Sequence, residues 1–273
     1  MRLGVGRQRP SCLLCNRKMP HDETHPALPW ILDGEALPPV TQAWGPGTPA
    51  PGLLAAGQDL TVTRLLESYS QGIFPWFSPG QPVLWWSPDP RMVLHTRDFR
   101  WHRSLRQSLK RWQLNPAFSL CFDRDFGQVI QRCANAPRAG QNGTWIVPEM
   151  VAAYENLHQL GYAHSAEMWL DGQLVAGLYF VALGHAVFGE SMFTTITDGS
   201  KMALACLVSV CIQHGIPLID CQQNTRHLAS LGAREVPRSE FMRGIAQARQ
   251  HSPVDWAQQS LYWDALTALD TCA

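Results

Sequence analysis

No stretch of this chain is long and apolar enough to span a bilayer. The longest apolar run, Leu204–Ile212, is interrupted by Ser209 and falls far short of the roughly 20 residues that a spanning helix needs. The first segment, MRLGVGRQRPSCLLCNRKMPHD, is basic but has neither an uninterrupted apolar core nor a small-residue cleavage site, so no secretory signal is expected. The eight cysteines show no framework spacing, which points to reduced thiols, no disulfides and a cytoplasmic protein. Net charge is absent too: 22 basic residues balance 22 acidic ones, which argues against a protein that coats nucleic acid indiscriminately. The chain holds no G-x-x-x-x-G-K-[ST] loop, no strand-borne G-x-G-x-x-G and no serine-hydrolase elbow, and these absences exclude the common nucleotide folds and that hydrolase class. RAGQNG, Arg138 to Gly143, sets its glycines at the wrong offsets for an acetyl-CoA pyrophosphate loop. Neither an internal repeat nor a low-complexity tract is present.

What is there is an ordinary globular composition, 45% apolar and 16% charged over 273 residues, enough for one large domain or two smaller ones. Residues 1–51 carry nine of the twenty prolines and little periodicity, and read as an irregular lead-in. Met19 opens a segment at which translation is a candidate to begin in place of Met1. Cys12, Cys15, His21 and His25 supply two thiols and two imidazoles, but Cys15 and His21 lie too close for finger spacing, so no metal is expected.

Asp59 to Gly72 predicts a helix, with Asp59 or Thr61 as cap, Leu65, Leu66 and Tyr69 at helical spacing, and Gly72 at the left-handed position past its end. GIFPWFSPGQPVLWWSPDPRMVL follows, and its prolines forbid a helix, so it reads as short strands and rigid turns that hold Phe74, Trp76, Trp85 and Trp86 still. From Arg91 to Arg111 seven Lys or Arg residues face a single acid, Asp98. In the helix predicted there, Trp101, Leu105, Leu109 and Trp112 share one side and Arg103, Arg106 and Lys110 the other, either a solvated face or a phosphate-binding one. Pro148 and Gly161 bracket another helix. AHSAEMWL, QLVAGLYFVALG and HAVFGESMF then alternate as three strands, the first two joined by a hairpin at Asp171-Gly172. A helix from about Ser200 to His214, a buried strand IPLIDCQ and two helical pieces complete the order of an α+β domain with a mixed sheet.

Three side chains draw attention for their chemistry. Asp220 and Gln222 stand two apart on a strand and so leave the same face, where a carboxylate beside a carboxamide relays a hydrogen bond; Asp220 pairing at a strand end is the bland alternative. Glu190, in FGESMF, is an acid within an apolar strand end and must meet a cation or line a polar pocket. His164, His185 and His214 each read as isolated histidines rather than catalysts.

The blocks GLLAAGQDL, YSQGIFPWFSPGQPVLWWSPDPRMVL, GTWIVPEMVAAYENLHQLGYAHSAEMW, FGESMF, SKMAL and LIDCQ…HLASLGA, in that order from Gly52 to Met242, closely resemble the leucyl/phenylalanyl-tRNA–protein transferase family. Gln58 departs from a glycine common in that family. The resemblance implies a small N-terminal domain and a larger acetyltransferase-like (GNAT-like) mixed-sheet domain, here divided as lead-in 1–50, small domain 51–90 and catalytic domain 91–273. It implies transfer of Leu, Phe or Met from charged tRNA to proteins that begin with Arg or Lys, which marks them for degradation, with no cofactor besides the aminoacyl-tRNA and no membrane partner. By motif it assigns catalysis to Asp220, Gln222 and Glu190, and binding of the terminal adenosine and aminoacyl group to Trp76 and Trp145. Leu178, Val187, Phe188, Met192 and Ile219 become walls of the amino-acid pocket, while Arg103, Arg106 and Lys110 meet the tRNA backbone. An acetyl-CoA-dependent N-acetyltransferase on the same fold, or a non-catalytic tRNA-binding adaptor, are the rival readings.

Overall fold

The computed structural model describes residues 27–136 and 146–271. Trp145, Cys12, Cys15, His21, His25 and both candidate starts, Met1 and Met19, lie outside the described residues. The first part of the chain builds a small sheet from β1 (Trp30–Ile31), β2 (Leu53–Gly57), β3 (Phe74–Pro75) and β4 (Val83–Trp86), in the order β1-β2-β4-β3. The lead-in therefore carries more order than its composition implies. Its Trp30 and Ile31 pair in parallel with Ala56 and Gly57, and Leu37 is buried.

Helix α1 (Val62–Ser70) sits between β2 and β3 as its periodicity predicts, capped by the Thr61 hydroxyl, which accepts from the Arg64 N–H. It stops at Gly72, whose φ of +66° suits glycine. A Cβ there would also lie 2.5 Å from Met242 Sδ, so the position is closed twice over.

The remainder forms a seven-stranded sheet flanked by helices. In chain order the elements are β5 (Arg91–His95), α2 (Arg103–Gln113), β6 (Phe118–Phe122), α3 (Phe126–Asn135), α4 (Pro148–Gln159), β7 (Ala163–Leu170), β8 (Gln173–Leu183), β9 (Ala186–Thr194), α5 (Gly199–Gln213), β10 (Leu218–Gln222), α6 (Arg226–Ser230), β11 (Arg234–Val236), α7 (Arg238–Ala248) and α8 (Trp263–Thr267). Their order is β11-β5-β10-β9-β8-β7-β6, antiparallel throughout except where β9 and β10 run parallel, so the molecule is α+β with a mixed sheet. Asp171 and Gly172 turn β7 into β8 with φ of +49° and +73°, both positive as a two-residue hairpin of this twist demands.

Two apolar layers cover the sheet. On one face α5, apolar around its whole circumference, is buried with Leu105 and Leu109 of α2 and Leu266 of α8. On the other, α1, α3, α4 and α7 share a single core with the small sheet, in which Leu54, Trp85, Tyr69, Tyr154 and Phe188 all belong. No helix among the described residues is long and apolar enough to cross a membrane.

Candidate active site

The parallel pairing of β9 with β10 lasts for only two residue pairs, Val187 with Ile219 and Phe188 with Asp220. Both strands then break register. On β9, Gly189 faces Phe180 and Ser191 faces Tyr179, which leaves Glu190 between them without a cross-strand partner. On β10, Asp220 faces Val93 and Gln222 faces Met92, so Cys221 is the extra residue and Gln222 takes φ of +62°. Each is a bulge, and a bulge re-aims the side chains around it. Two bulges on neighbouring strands open the sheet and turn Glu190 and Gln222 toward each other: the Gln222 carboxamide N–H donates to Glu190 Oε1 over 3.0 Å.

Glu190 is the hub of this arrangement. Tyr69 of α1 donates to its Oε1 over 2.7 Å, and the single hydroxyl proton of Tyr154 of α4 is shared between its Oε2, 3.2 Å away, and the Tyr69 oxygen. Burial pushes the Glu190 carboxyl up to about 7, although Tyr69, Gln222 and Tyr154 hydrogen-bond its charged form and oppose the rise; the nearby Asp220 charge adds to it. Burial and the Glu190 charge hold both phenols well above their usual range, so they remain protonated donors.

Asp220 occupies a different environment. It is fully buried, and Arg91 of β5 grips it with two hydrogen bonds, Nε to Oδ1 at 2.8 Å and Nη2 to Oδ2 at 2.6 Å. The guanidinium lies between the rings of Phe74 and Phe241, each 4.7 Å away, and donates to the Gly72 carbonyl. Strand alternation predicts a contact between the Asp220 carboxylate and the Gln222 carboxamide. The bulge replaces it: Asp220 Oδ1 accepts the backbone N–H of Gln222 over 2.9 Å and thereby fixes the left-handed turn from which the carboxamide projects.

Beside Glu190 a cavity of about 230 Å³ opens on the α5 side of the sheet. Leu178, Met192 and Ile219, three of the residues assigned to the amino-acid pocket, line it together with Leu204 and Leu207 of α5 and Leu228. Val187 and Phe188 are fully buried and absent from its wall; Phe188 instead packs on Tyr69, ring centres 5.0 Å apart. They stand where β9 is still paired with β10, before the strands part.

Trp76 is half-buried just past β3, with Trp86 tilted against it at 5.3 Å and donating its indole N–H to the Trp76 carbonyl. It does not line the cavity. On α2, Arg103 and Lys110 are exposed and Arg106 partly so. Arg106 lies over Trp101 and Lys110 over Trp263.

Sequence reasoning missed Tyr69, Tyr154 and Arg91. Tyr69 and Tyr154 read as helix core positions and Arg91 as one charge among seven. The legible signal was the unpaired acid at Glu190, which requires buried donors from somewhere.

A carboxyl group poised near neutrality, an amide projecting beside it and an apolar cavity at a split in the sheet make a candidate site for acyl transfer. The chain matches the model of leucyl/phenylalanyl-tRNA protein transferase over residues 93–246 and that of the family's N-terminal domain over residues 58–89. It is 59% identical over 236 residues to the leucyl/phenylalanyl-tRNA–protein transferase of Polaromonas sp. strain JS666, covering 86% of this chain and 92% of that one. To the enzyme of the same name from Albidiferax ferrireducens it is 52% identical over 241 residues, 88% of this chain and 95% of that one. This protein belongs to the leucyl/phenylalanyl-tRNA–protein transferase family and is an aminoacyltransferase. A looser likeness runs to a solved GCN5-related N-acetyltransferase-like protein from Streptococcus suis, with 15% identity, 67% of each chain and a TM-score of 0.30.

Proposed function

We propose that this protein transfers Leu, Phe or Met from its tRNA to the N-terminal Arg or Lys of acceptor proteins in the cytoplasm, and that Glu190 is the proton acceptor of the reaction. The observation that carries this reading is Glu190 itself, which lines an apolar cavity, accepts from the Gln222 carboxamide and has its carboxyl pushed up to about 7.

The aminoacyl ester arrives activated, so aminoacyl-tRNA is the one activated co-substrate required. The acceptor's α-amine, with a pKa near 7.7–8, is substantially neutral at cytosolic pH. Its nitrogen attacks the ester carbonyl carbon, and the proton it sheds passes to ionised Glu190 and on to the departing ribose oxygen as the carbon–oxygen bond breaks. Gln222 spends its N–H on Glu190, which leaves its carboxamide oxygen to accept from the amine and aim the nitrogen lone pair. Asp220 contributes by positioning: held by Arg91, it fixes the turn that presents Gln222.

The cavity formed by Leu178, Met192, Ile219, Leu204 and Leu207 takes an unbranched-at-Cβ apolar side chain. A β-branched competitor loses only about 1–3 kcal/mol of fit, which gives preference rather than absolute exclusion. The exposed face of Trp76 stacks the terminal adenine, worth roughly 1–3 kcal/mol. Trp145 is assigned to the same group by its motif alone, and Arg103, Arg106 and Lys110 meet tRNA phosphates. The division at residues 90 and 91 is proposed as the domain boundary, supported by the break between the two sheets at that point.

The test is a transfer assay with Leu-, Phe- and Met-charged tRNA against peptides that begin with Arg, Lys or Ala. Labelling confined to Arg and Lys peptides supports the reading. No labelling by protein that still binds charged tRNA turns the chain into an adaptor, and acetylation of the same peptides from acetyl-CoA makes it an acetyltransferase.

A further inference from the structure

Asp123, His158 and His164 converge from three elements at a place the transfer reaction does not use. Asp123 follows β6, His158 lies in the last turn of α4, and His164 opens β7. One ligand-type atom of each lies within 4.8 Å of the other two. We propose that these three side chains bind a divalent transition-metal ion, with zinc as the best fit to two imidazoles and one carboxylate.

The orientation of each ring supports this. His158 Nδ1 lies 2.8 Å from the Ala163 carbonyl, so that nitrogen carries the proton and its Nε2 presents a lone pair, with no hydrogen bond to it among the described residues. The ring is held in place by Phe126, stacked at 4.4 Å with planes 6° apart. His164 Nε2 lies 3.1 Å from the Gly161 carbonyl, while its Nδ1 faces Asp123 Oδ2 at 2.7 Å. Both ring nitrogens of His164 thus face oxygen atoms, and a neutral ring has one N–H to offer the two; a second ring proton or a metal ion at Nδ1 satisfies both contacts. Imidazoles that donate one N–H to a backbone carbonyl and aim the other nitrogen at a common point are the arrangement that orients metal-ligating histidines. Asp123 is itself oriented, because its Oδ1 accepts the Ser165 N–H over 2.7 Å. Zinc bonds of about 2.0–2.2 Å hold ligand atoms within roughly 4 Å of one another, so small side-chain rotations close the site. With three protein ligands a fourth position stays open for water.

The consequence reaches the active site through α4. His158 is one helical turn beyond Tyr154, which donates to Glu190, so an ion that ties the end of α4 to β7 and to the loop after β6 holds that tyrosine in register.

The test uses the full chain, stripped with chelator and then titrated with Zn²⁺ and with Co²⁺ as a spectroscopic probe. Metal content after gel filtration, the melting temperature and the visible Co²⁺ spectrum are read for the wild type, for Cys12→Ser/Cys15→Ser, for His158→Gln and for Asp123→Asn. The proposal requires that the double cysteine variant retain one equivalent, with Co²⁺ d–d bands and no thiolate charge-transfer band, and a melting temperature raised by a few degrees in excess Zn²⁺. His158→Gln and Asp123→Asn then lose that equivalent and that shift while keeping the far-UV circular dichroism of the metal-free wild type. Retention of the equivalent by folded His158→Gln, or its loss in the double cysteine variant, overturns it and leaves a hydrogen-bonded cluster only. Should His158→Gln not fold, Asp123→Asn and the Co²⁺ spectrum of the cysteine variant decide alone.

Discussion

At the residue scale, Glu190 and Asp220 are two neighbouring carboxyl groups with different partners. Glu190 has phenols, an amide and burial around it, and its acid form persists up to about 7. Asp220 is gripped by the Arg91 guanidinium and accepts the Gln222 backbone N–H. As a base Glu190 must be ionised, so kcat/KM rises with pH through about 7. In Glu190→Gln that inflection disappears, and the remaining one near 7.7–8 belongs to the substrate amine; a pH–rate profile with peptide acceptors checks both. The same group makes a stability prediction. Its folded pKa lies above its unfolded one, so the folded state binds the extra proton between the two values, and folding weakens as pH rises from the ordinary carboxylate range through about 7. Glu190→Gln therefore raises the melting temperature more at pH 8 than at pH 5. Removing one partner of the buried Arg91–Asp220 pair strands a charge: Asp220→Ala and Arg91→Ala each lose about 3–5 kcal/mol in denaturant unfolding, and the double variant loses much less than their sum.

At the element scale, the site exists because β9 and β10 each carry one residue too many. The hydrophobic pattern gave both strands correctly, yet alternation placed the Asp220 carboxylate against the Gln222 side chain. One inserted residue reverses which way the following side chains point, and nothing in LIDCQ or FGESMF announces the insertion. Helix α5 supplies the other wall. Its apolar run reads in sequence only as a buried helix, whereas Leu204 and Leu207 also line the cavity beside Glu190. Leu207→Ala enlarges the cavity and shifts the ratio of kcat/KM for Phe-tRNA over Leu-tRNA toward Phe, while costing about 2–5 kcal/mol of stability. On α2 the apolar and basic sides fall where their spacing predicts, and Arg103 and Lys110 are exposed while Arg106 is partly covered. Arg103→Ala weakens binding of charged tRNA and makes the slope of log affinity against log salt shallower by about one unit per lost phosphate contact.

At the scale of the whole molecule, the two sheets are joined by a shared core rather than by a linker. Trp85 of the small sheet, Tyr69 of α1 and Tyr154 of α4 belong to the same apolar cluster, and Phe74 and Phe241 clamp Arg91 from opposite ends of the chain. The proline-rich turn thus carries the first wall of the catalytic centre as well as Trp76. Trp85→Ala, at a site 1% exposed, costs about 3–5 kcal/mol and lowers one cooperative melting transition rather than splitting it in two; calorimetry reads both.

Local signals sufficed for α1, α2, α4, α5, the three-strand meander with its hairpin at Asp171-Gly172, β10 and the family itself, because caps, periodicity and long distinctive blocks are written in neighbouring residues, while β6, α3 and β11 went unread. Glu190 and Gln222 were legible as chemistry for the same reason: an acid in an apolar strand end and an amide two residues from an acid are visible without a fold. Their partners were not. Tyr69, Arg91 and Tyr154 stand up to 129 residues from the groups they serve, and only strand pairing with its two bulges and the shared core bring them together. Burial and hydrogen-bond partners set by that assembly, rather than residue type, bring the Glu190 carboxyl near neutrality.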